Sequence, residues 1–210
     1  YQAKQGALAL RMTAADRRAE VRTRRMRVTG REIDLNLDPT TLTARGAVRT
    51  ETTPEAPGRG GAASGLFDAG KQTFGSADEL TYDDTTRQAT YRTAAQLVQG
   101  AGGDLTRIQA DVIRADDQAG NLSADGRVVT VLPMKNTAAR PDAPPRGTAA
   151  GFVFTNATRL AVYTGTAKDL AELPGPDGTI RAVTIQVWLA ADGREVSRLV
   201  GDGPPTQALV

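Results

Sequence analysis

Apolar and polar residues alternate along several short segments of the chain, and turns that begin with Asp join these segments. One unit runs from Ile33-Asp-Leu-Asn-Leu-Asp38 to Ala44-Arg-Gly46-Ala-Val48, and a second runs from Ile113-Arg-Ala-Asp116-Asp117 to Ala124-Asp-Gly126-Arg-Val128. A third extends from Leu80 to Leu97. Alternation with period two predicts β-strands. Because so short a strand–turn–strand unit cannot bury its own apolar face, the units are expected to stack and share a core.

One segment is compatible with more than one secondary structure. Residues 13–26 are rich in helix-forming residues, and Thr13 and Asp16 resemble the cap that begins a helix. The flanking residues alternate, however, and the spacing matches the other units, which favours strand–turn–strand. Residues 180–189 carry the strongest strand pattern and are followed by the turn Ala191-Asp-Gly-Arg194.

Two segments interrupt the repeated pattern. Residues 52–76 and 133–151 are rich in Gly, Pro and Ala, and we predict both as loops inserted between units. The β-repeats then occupy residues 1–51, 77–132 and 152–210, as parts of one continuous domain.

The composition excludes several kinds of catalysis. The chain contains no Cys and no His, so it has no thiolate nucleophile, disulfide, zinc–thiolate site or imidazole base. Carboxylate chemistry remains open. The pairs Asp83-Asp84 and Asp116-Asp117 are interpreted as turn residues, because Asp side chains accept backbone hydrogen bonds in turns. The composition agrees with our prediction of no catalytic residue, no metal site and no cofactor.

Two further motifs are weak indicators of a ligand. Residues 65–72 match a phosphate-binding loop except at the last position, where Gln72 lacks the required hydroxyl group. Eight Arg lie between Arg11 and Arg31, against only Asp16 and Glu20. No aromatic residue is interleaved with these Arg, so the stretch is interpreted as a solvated face and no nucleic-acid partner is predicted.

The inward-facing apolar positions have two interpretations. They either fill a core or line an open trough, since only 4% of the residues are aromatic and the interior is built from small side chains. A long apolar trough would suit an aliphatic ligand, because burial of each methylene contributes about 0.8 kcal/mol. On the residues alone, the filled core is the simpler interpretation.

Residues 70–100 and 108–128 resemble the OstA-like repeat of periplasmic lipopolysaccharide-transport proteins, of the LptA, LptC and LptD N-terminal type. The similarity is weaker over residues 1–50 and 152–200. Thr93-Ala94 departs from the family, which often has Gly-Asn at this bend. The resemblance implies an all-β, open and twisted β-jellyroll of stacked strand–turn–strand repeats. It also implies lipid acyl chains inside the trough, head groups outside, and pairing of edge strands between domains.

The resemblance therefore predicts a non-enzymatic, periplasmic module that carries lipopolysaccharide between two membranes. Its partners would be lipopolysaccharide and other jellyroll proteins, including a second copy of the chain. The predicted trough lining comprises Leu8, Leu10, Ile33, Leu35, Leu80, Tyr82, Tyr91, Leu97, Ile108, Ile113, Leu122 and Val128. Two alternatives remain open: a structural β-solenoid with a filled core, and a glycan-cleaving enzyme that uses two carboxylates.

Overall fold

The computed structural model describes residues 2–4, 7–13, 18–23, 25–54, 66–68, 70–133, 146–175, 178–190, 195–203 and 207–209. In residues 2–4, 7–12 and 207–209 it describes the backbone only. The described chain is all-β, with strands β1 (Gln2–Lys4), β2 (Ala7–Thr13), β3 (Ala19–Arg22), β4 (Met26–Gly30), β5 (Glu32–Leu37), β6 (Thr40–Thr52), β7 (Thr73–Asp83), β8 (Gln88–Gln99), β9 (Thr106–Asp116), β10 (Asn121–Val131), β11 (Arg146–Thr155), β12 (Leu160–Thr164), β13 (Ala171–Gly175), β14 (Gly178–Ala182), β15 (Thr184–Leu189), β16 (Val196–Asp202) and β17 (Gln207–Leu209).

The helical content of the described residues is small. Two 3-10 helices of one turn each cover Gly102–Asp104 and Asn156–Thr158. Neither approaches the length or the apolar character of a membrane-crossing helix, and the rest of the described chain holds no such helix.

The strands form one open antiparallel sheet that forks at both ends. Strands β6 to β11 pair in chain order. At one end β6 pairs with both β5 and β4, and this forms two branches. On the first branch β2 pairs with β5 and β1 pairs with β2. On the second branch β3 pairs with β4. At the other end β11 pairs with both β12 and β13. On the branch that begins with β12, β15 pairs with β12 and β16 pairs with β15. On the branch that begins with β13, β14 pairs with β13 and β17 pairs with β14.

Every second long strand bends at two consecutive residues with positive φ. These are Gly46–Ala47 in β6, Thr93–Ala94 in β8 and Gly126–Arg127 in β10. The pairing register shifts at the same points, and such bulges bend a strand. Thr93 and Ala94 adopt this backbone without a glycine, although positive φ is unfavourable for residues with a Cβ. The surrounding sheet must therefore hold them there.

The bends divide the sheet into two halves. The hairpin half contains residues 40–45, 79–83, 88–92, 112–116, 121–125 and 151–155, next to the tight turns. The loop half contains residues 48–52, 73–77, 95–99, 106–110, 128–131 and 146–149. Strands β5, β12 and β15 continue the hairpin half, and β4 continues the loop half.

A hydrogen bond between Tyr91 and Thr50 connects the two halves. Tyr91 belongs to the hairpin half, yet its hydroxyl group lies 2.9 Å from that of Thr50 in the loop half, and both residues are buried. The ring of Tyr91 passes over Gly75. A Cβ at Gly75 would lie 2.8 Å from Cε1 of Tyr91 and would also overlap the Thr50 hydroxyl oxygen. The halves can therefore pack face to face only because this position carries no side chain.

The same arrangement recurs farther along the sheet. The hydroxyl groups of Thr130 and Tyr163 are also 2.9 Å apart and buried. A Cβ at Gly147 would lie 2.7 Å from Oγ1 of Thr130 and 2.9 Å from Cε1 of Tyr163. Two equivalent Thr–Gly–Tyr clusters thus fasten the hairpin half to the loop half.

The structure bears on three expectations about the course of the chain. The described residues of the segment 13–26 form the end of β2, all of β3 and the start of β4, so strand–turn–strand is correct there. The predicted loops at 52–76 and 133–151 are shorter than expected, because β7 begins at Thr73 and β11 at Arg146. Their central parts, residues 55–65 and 134–145, lie outside the described residues.

Replacement of Gly147 by Ala should test the face-to-face packing. The new methyl group would overlap Thr130 and Tyr163, and overpacking of this kind costs about 1–3 kcal/mol. Gly151 lies on the same strand and is the matched control, because a Cβ there has no neighbour closer than 3.9 Å. Urea unfolding should show a clear loss of stability for Gly147→Ala and little change for Gly151→Ala. Equal effects of the two substitutions would contradict the packing described here.

Candidate functional site

Most of the predicted lining residues converge on one interior. Of the twelve, nine are buried in a single apolar cluster: Ile33, Leu80, Tyr82, Tyr91, Leu97, Ile108, Ile113, Leu122 and Val128. Leu35 is partly buried against that cluster. Leu8 and Leu10 belong to β2, but their side chains lie outside the described residues. For the ten predicted residues whose side chains are described, the alternating pattern therefore predicted an inward orientation correctly.

Cross-strand pairing orders the interior of the hairpin half into a continuous row. Each residue of the row is the direct partner of the next on the neighbouring strand, and each is almost completely buried. The row runs through Ile33, Ala44, Leu80, Tyr91, Ile113, Ala124, Phe152, Tyr163 and Ile185. Alanines between larger residues leave room for the side chains of the facing half.

The predicted lining stopped too early in the chain. Phe152, Phe154, Tyr163, Ile185 and Val187 are as deeply buried as the predicted residues. The rings of Phe152 and Tyr163 meet edge to face, with centroids 4.9 Å apart. Alternation in Phe152-Val-Phe154 and Ile185-Gln-Val187 was the available signal. It lay in the region where the family resemblance is weak.

A cavity opens where the free ends of the two halves approach each other. Its volume is about 170 Å³, and its apolar wall includes Met26 from β4, Tyr82 from β7 and Leu122 from β10. Leu66 and Phe67, from the segment before β7, complete this wall. We call it the mouth cavity. An engineered apolar cavity of about 150 Å³ accommodates benzene, so the mouth cavity has room for a small apolar group.

The rim of the mouth cavity is charged but balanced. Its charged residues are Arg25, Lys71, Arg87, Asp68, Asp116 and Asp117. With three cations and three anions, the rim alone does not indicate the charge of a ligand.

The segment before β7 is held by one buried side chain. Gln99, at the end of β8, accepts a hydrogen bond from the backbone N–H of Asp68 at 2.8 Å. Its Nε2 donates to the carbonyl oxygens of Asp68 and Lys71 at 2.9 and 3.2 Å and to Oγ1 of Thr73 at 2.8 Å. Asp68 also accepts from the N–H of Gly70 at 2.9 Å, which forms a tight turn. No helix follows in the described chain, so the geometry of a phosphate-binding loop is not present here.

The first carboxylate of each predicted pair, Asp83 or Asp116, serves its turn as predicted. Oδ1 of Asp83 accepts from the N–H groups of Thr85 and Thr86 at 2.8 and 3.1 Å. Oδ1 of Asp116 likewise accepts from the N–H groups of residues 118 and 119 at 2.9 and 2.8 Å. No group of three or more potential metal ligands occurs among the residues described.

The interior tyrosines are held in their neutral form. Burial, together with the nearby Asp84 carboxylate, which accepts a hydrogen bond from the Tyr82 hydroxyl at 3.1 Å, raises the pKa of Tyr82 to about 12. Burial also raises the pKa of Tyr91 to about 12, against a smaller lowering by its hydrogen bond with Thr50. The pKa of Tyr163 is raised by burial as well. The interior therefore presents no ionised group from these three side chains at neutral pH.

Part of the basic stretch is engaged in ion pairs on the outer face. Glu20 of β3 binds Arg22, and it accepts a hydrogen bond from Nη2 of Arg27 at 2.7 Å. Hydrogen bonds from Arg27 and then Arg22 lower the pKa of Glu20 to about 2. Arg27 also lies 3.5 Å from Glu51. These described arginines are thus partly neutralised within the sheet, as expected of a solvated face.

A scan against protein-family models gives no match for this chain, and a search of curated proteins finds no significantly similar sequence. The functional assignment must therefore rest on the geometry and on the residues themselves.

The raised tyrosine pKa values predict a loss of stability at alkaline pH. An unfolded tyrosine ionises near pH 10, whereas Tyr82 and Tyr91 retain their protons to about pH 12 in the folded state. Above about pH 10 the unfolded chain therefore binds fewer protons than the folded chain, and the free energy of unfolding falls as the pH rises. Below that pH, this contribution is fully present.

Urea unfolding between about pH 8 and pH 11 would measure this fall. Tyr91→Phe is the informative variant, because it removes one of the titrating groups and should flatten the alkaline fall. It should also lower stability at neutral pH by about 1 kcal/mol, through loss of the Thr50 hydrogen bond. An alkaline slope that is unchanged in this variant would contradict the assignment of Tyr91.

Proposed function

We propose that this chain is a non-enzymatic lipid-binding module that shields the acyl chains of lipopolysaccharide during transport across the periplasm. In this proposal the bent sheet is an open, twisted β-jellyroll. The observation that carries the proposal is the single apolar interior, which runs without interruption across the strands from β5 to β15.

The chemistry of that interior supports an aliphatic ligand. Aliphatic side chains dominate it, and the buried hydroxyl groups of Tyr91 and Tyr163 are satisfied by Thr50 and Thr130. An acyl chain therefore meets no unsatisfied polar group at these positions. Each methylene that leaves water contributes about 0.8 kcal/mol, so even part of a long chain gives useful affinity.

The free edges of the sheet support assembly with similar domains. Within the described residues, β3 and β16 each pair on one side only. An unpaired edge offers backbone N–H and C=O groups to a further strand. We propose that a neighbouring jellyroll protein, or a second copy of this chain, adds to one of these edges and extends the apolar interior.

A second candidate function is a structural β-scaffold with a filled core. The close packing of the interior favours it, since Leu80, Ile108 and Ile113 have no exposed surface. The two functions differ in one property, because a scaffold has no need to admit a ligand between its two halves.

Photo-cross-linking from inside and outside the sheet would separate the two functions. A photoreactive phenylalanine derivative would replace Tyr82, which lines the mouth cavity, or Val153, a residue that is 48% exposed. Lipid transport predicts cross-links to lipopolysaccharide from position 82, and few from position 153.

Two outcomes of this experiment would count against the proposal. Cross-links of equal yield from both positions would indicate non-specific adsorption to the surface. A folded protein that forms no cross-link from position 82 would favour the scaffold. Circular dichroism of each variant would establish that the sheet is intact.

A further inference from the structure

The mouth of the interior is covered by a short segment of the chain itself. We call residues 66–68 and 70–72 the strap. Its residues Leu66 and Phe67 pack against the apolar core and form part of the wall of the mouth cavity. Tyr82 and Leu122 of the hairpin half and Met26 of the loop half form the rest of the apolar wall. The strap thus fills space between the two halves at the point where the interior opens.

The strap is fastened through polar contacts rather than as part of the sheet. The buried amide of Gln99 binds the backbone of Asp68 and Lys71 through three hydrogen bonds. Gln72 adds a side-chain hydrogen bond to Glu51 at 2.5 Å. Strand pairing begins only at Thr73. The segment can therefore leave the mouth without breaking any pairing in the sheet.

The strap also has a compact local structure. Asp68 accepts hydrogen bonds from the N–H of Gly70 through its side chain and from the N–H of Lys71 through its carbonyl oxygen, at 2.9 and 3.0 Å. These contacts lie within the strap and do not depend on its place in the mouth. Asp68, Gly70 and Lys71 can therefore keep this turn when the contacts with Gln99 break.

We propose that the strap is a displaceable plug at the entry site for acyl chains, in which Leu66 and Phe67 occupy the position that the end of a lipid chain takes when it enters. Gln99 is the clamp that sets how often the plug opens. This inference rests on the proposed lipid-binding function. It explains how an interior that is closely packed can still admit a chain.

The clamp determines the apparent affinity for a lipid. If the ligand binds only when the strap has withdrawn, the apparent dissociation constant is the intrinsic one divided by the open fraction. Gln99→Leu keeps the size of the side chain but removes all the hydrogen bonds of the clamp. It should therefore raise the open fraction and tighten binding by about tenfold.

Binding of a fluorescent long-chain fatty acid would test the clamp. Gln96→Leu is the matched control, because Gln96 lies on the same strand and bonds to Gln109 on the outer face. We expect tighter binding by Gln99→Leu and unchanged binding by Gln96→Leu. If Gln99→Leu is folded and binds the probe no more tightly than the unmodified protein, the plug is ruled out.

A second measurement follows the strap itself and does not depend on the stability of the Gln99 variant. The chain has no Cys, so Leu66→Cys provides a single thiol for maleimide labelling. Labelling should be slow without lipid and at least several-fold faster with a saturating fatty acid, because the ligand displaces the strap. Val153→Cys, on the exposed outer face, should react at a rate that lipid does not change. A rate at position 66 that is constant or slower with lipid would overturn the inference.

The outcomes distinguish the plug from the function on which it rests. Only the plug is wrong if the unmodified protein binds the fatty acid, Gln99→Leu binds it no more tightly, and labelling at position 66 is not faster with lipid. If neither the unmodified protein nor the variants bind the probe, lipid binding itself is refuted, and the plug with it.

Discussion

The bend in every second long strand is the constraint on which the structure depends. Pairs of residues with positive φ, at 46–47, 93–94 and 126–127, interrupt the strands at matching positions. Without them a meander of this length would expose one apolar face to water. With them the hairpin half faces the loop half, and both bury their apolar rows in one interior. The backbone conformation at these bends is unfavourable for non-glycine residues, so the packing of the two halves must compensate for it.

The two Thr–Gly–Tyr clusters show how that compensation is achieved. Each places a tyrosine of the hairpin half over a glycine of the loop half and satisfies its hydroxyl group with a threonine. The interior is consequently apolar and free of unsatisfied hydroxyl groups at both clusters. Away from them, at the free ends of the strands, the halves leave the mouth cavity, whose wall includes Leu66 and Phe67 of the strap that Gln99 holds. The same geometry thus explains both a stable sheet and the cavity at which we propose that a ligand enters.

The sequence predicted the class of the fold and much of the interior, for a simple physical reason. Alternation in segments such as 80–82 and 108–110 reports which side chains face the core, independently of how the sheet is folded. The bend at Thr93–Ala94 could not be predicted in this way, because neither residue favours positive φ. The role of Gly75 depends on Tyr91 and Thr50, which only the folded sheet brings to it.

The start of β11 was predicted as loop. Residues 146–151 are rich in Gly and Ala, which favours a loop, but they pair with neighbouring strands as part of β11. The sequence did contain a signal that the bend and the threonine of each cluster recur. Residues 42–50 and 122–130 share Leu, Ala, Gly, Val and Thr at alternate positions.

The decisive question is whether an acyl chain reaches the space between the two halves. NMR of protein with labelled Ile and Val methyl groups, recorded with a fatty acid that carries a spin label at its methyl end, would locate the chain. If the proposed function is correct, the label should broaden the methyl signals of Ile108 and Ile113 and leave that of the outward-facing Val153 sharp. Broadening confined to Val153 and other outer residues, or no broadening at saturating lipid, would show that the interior is a filled core.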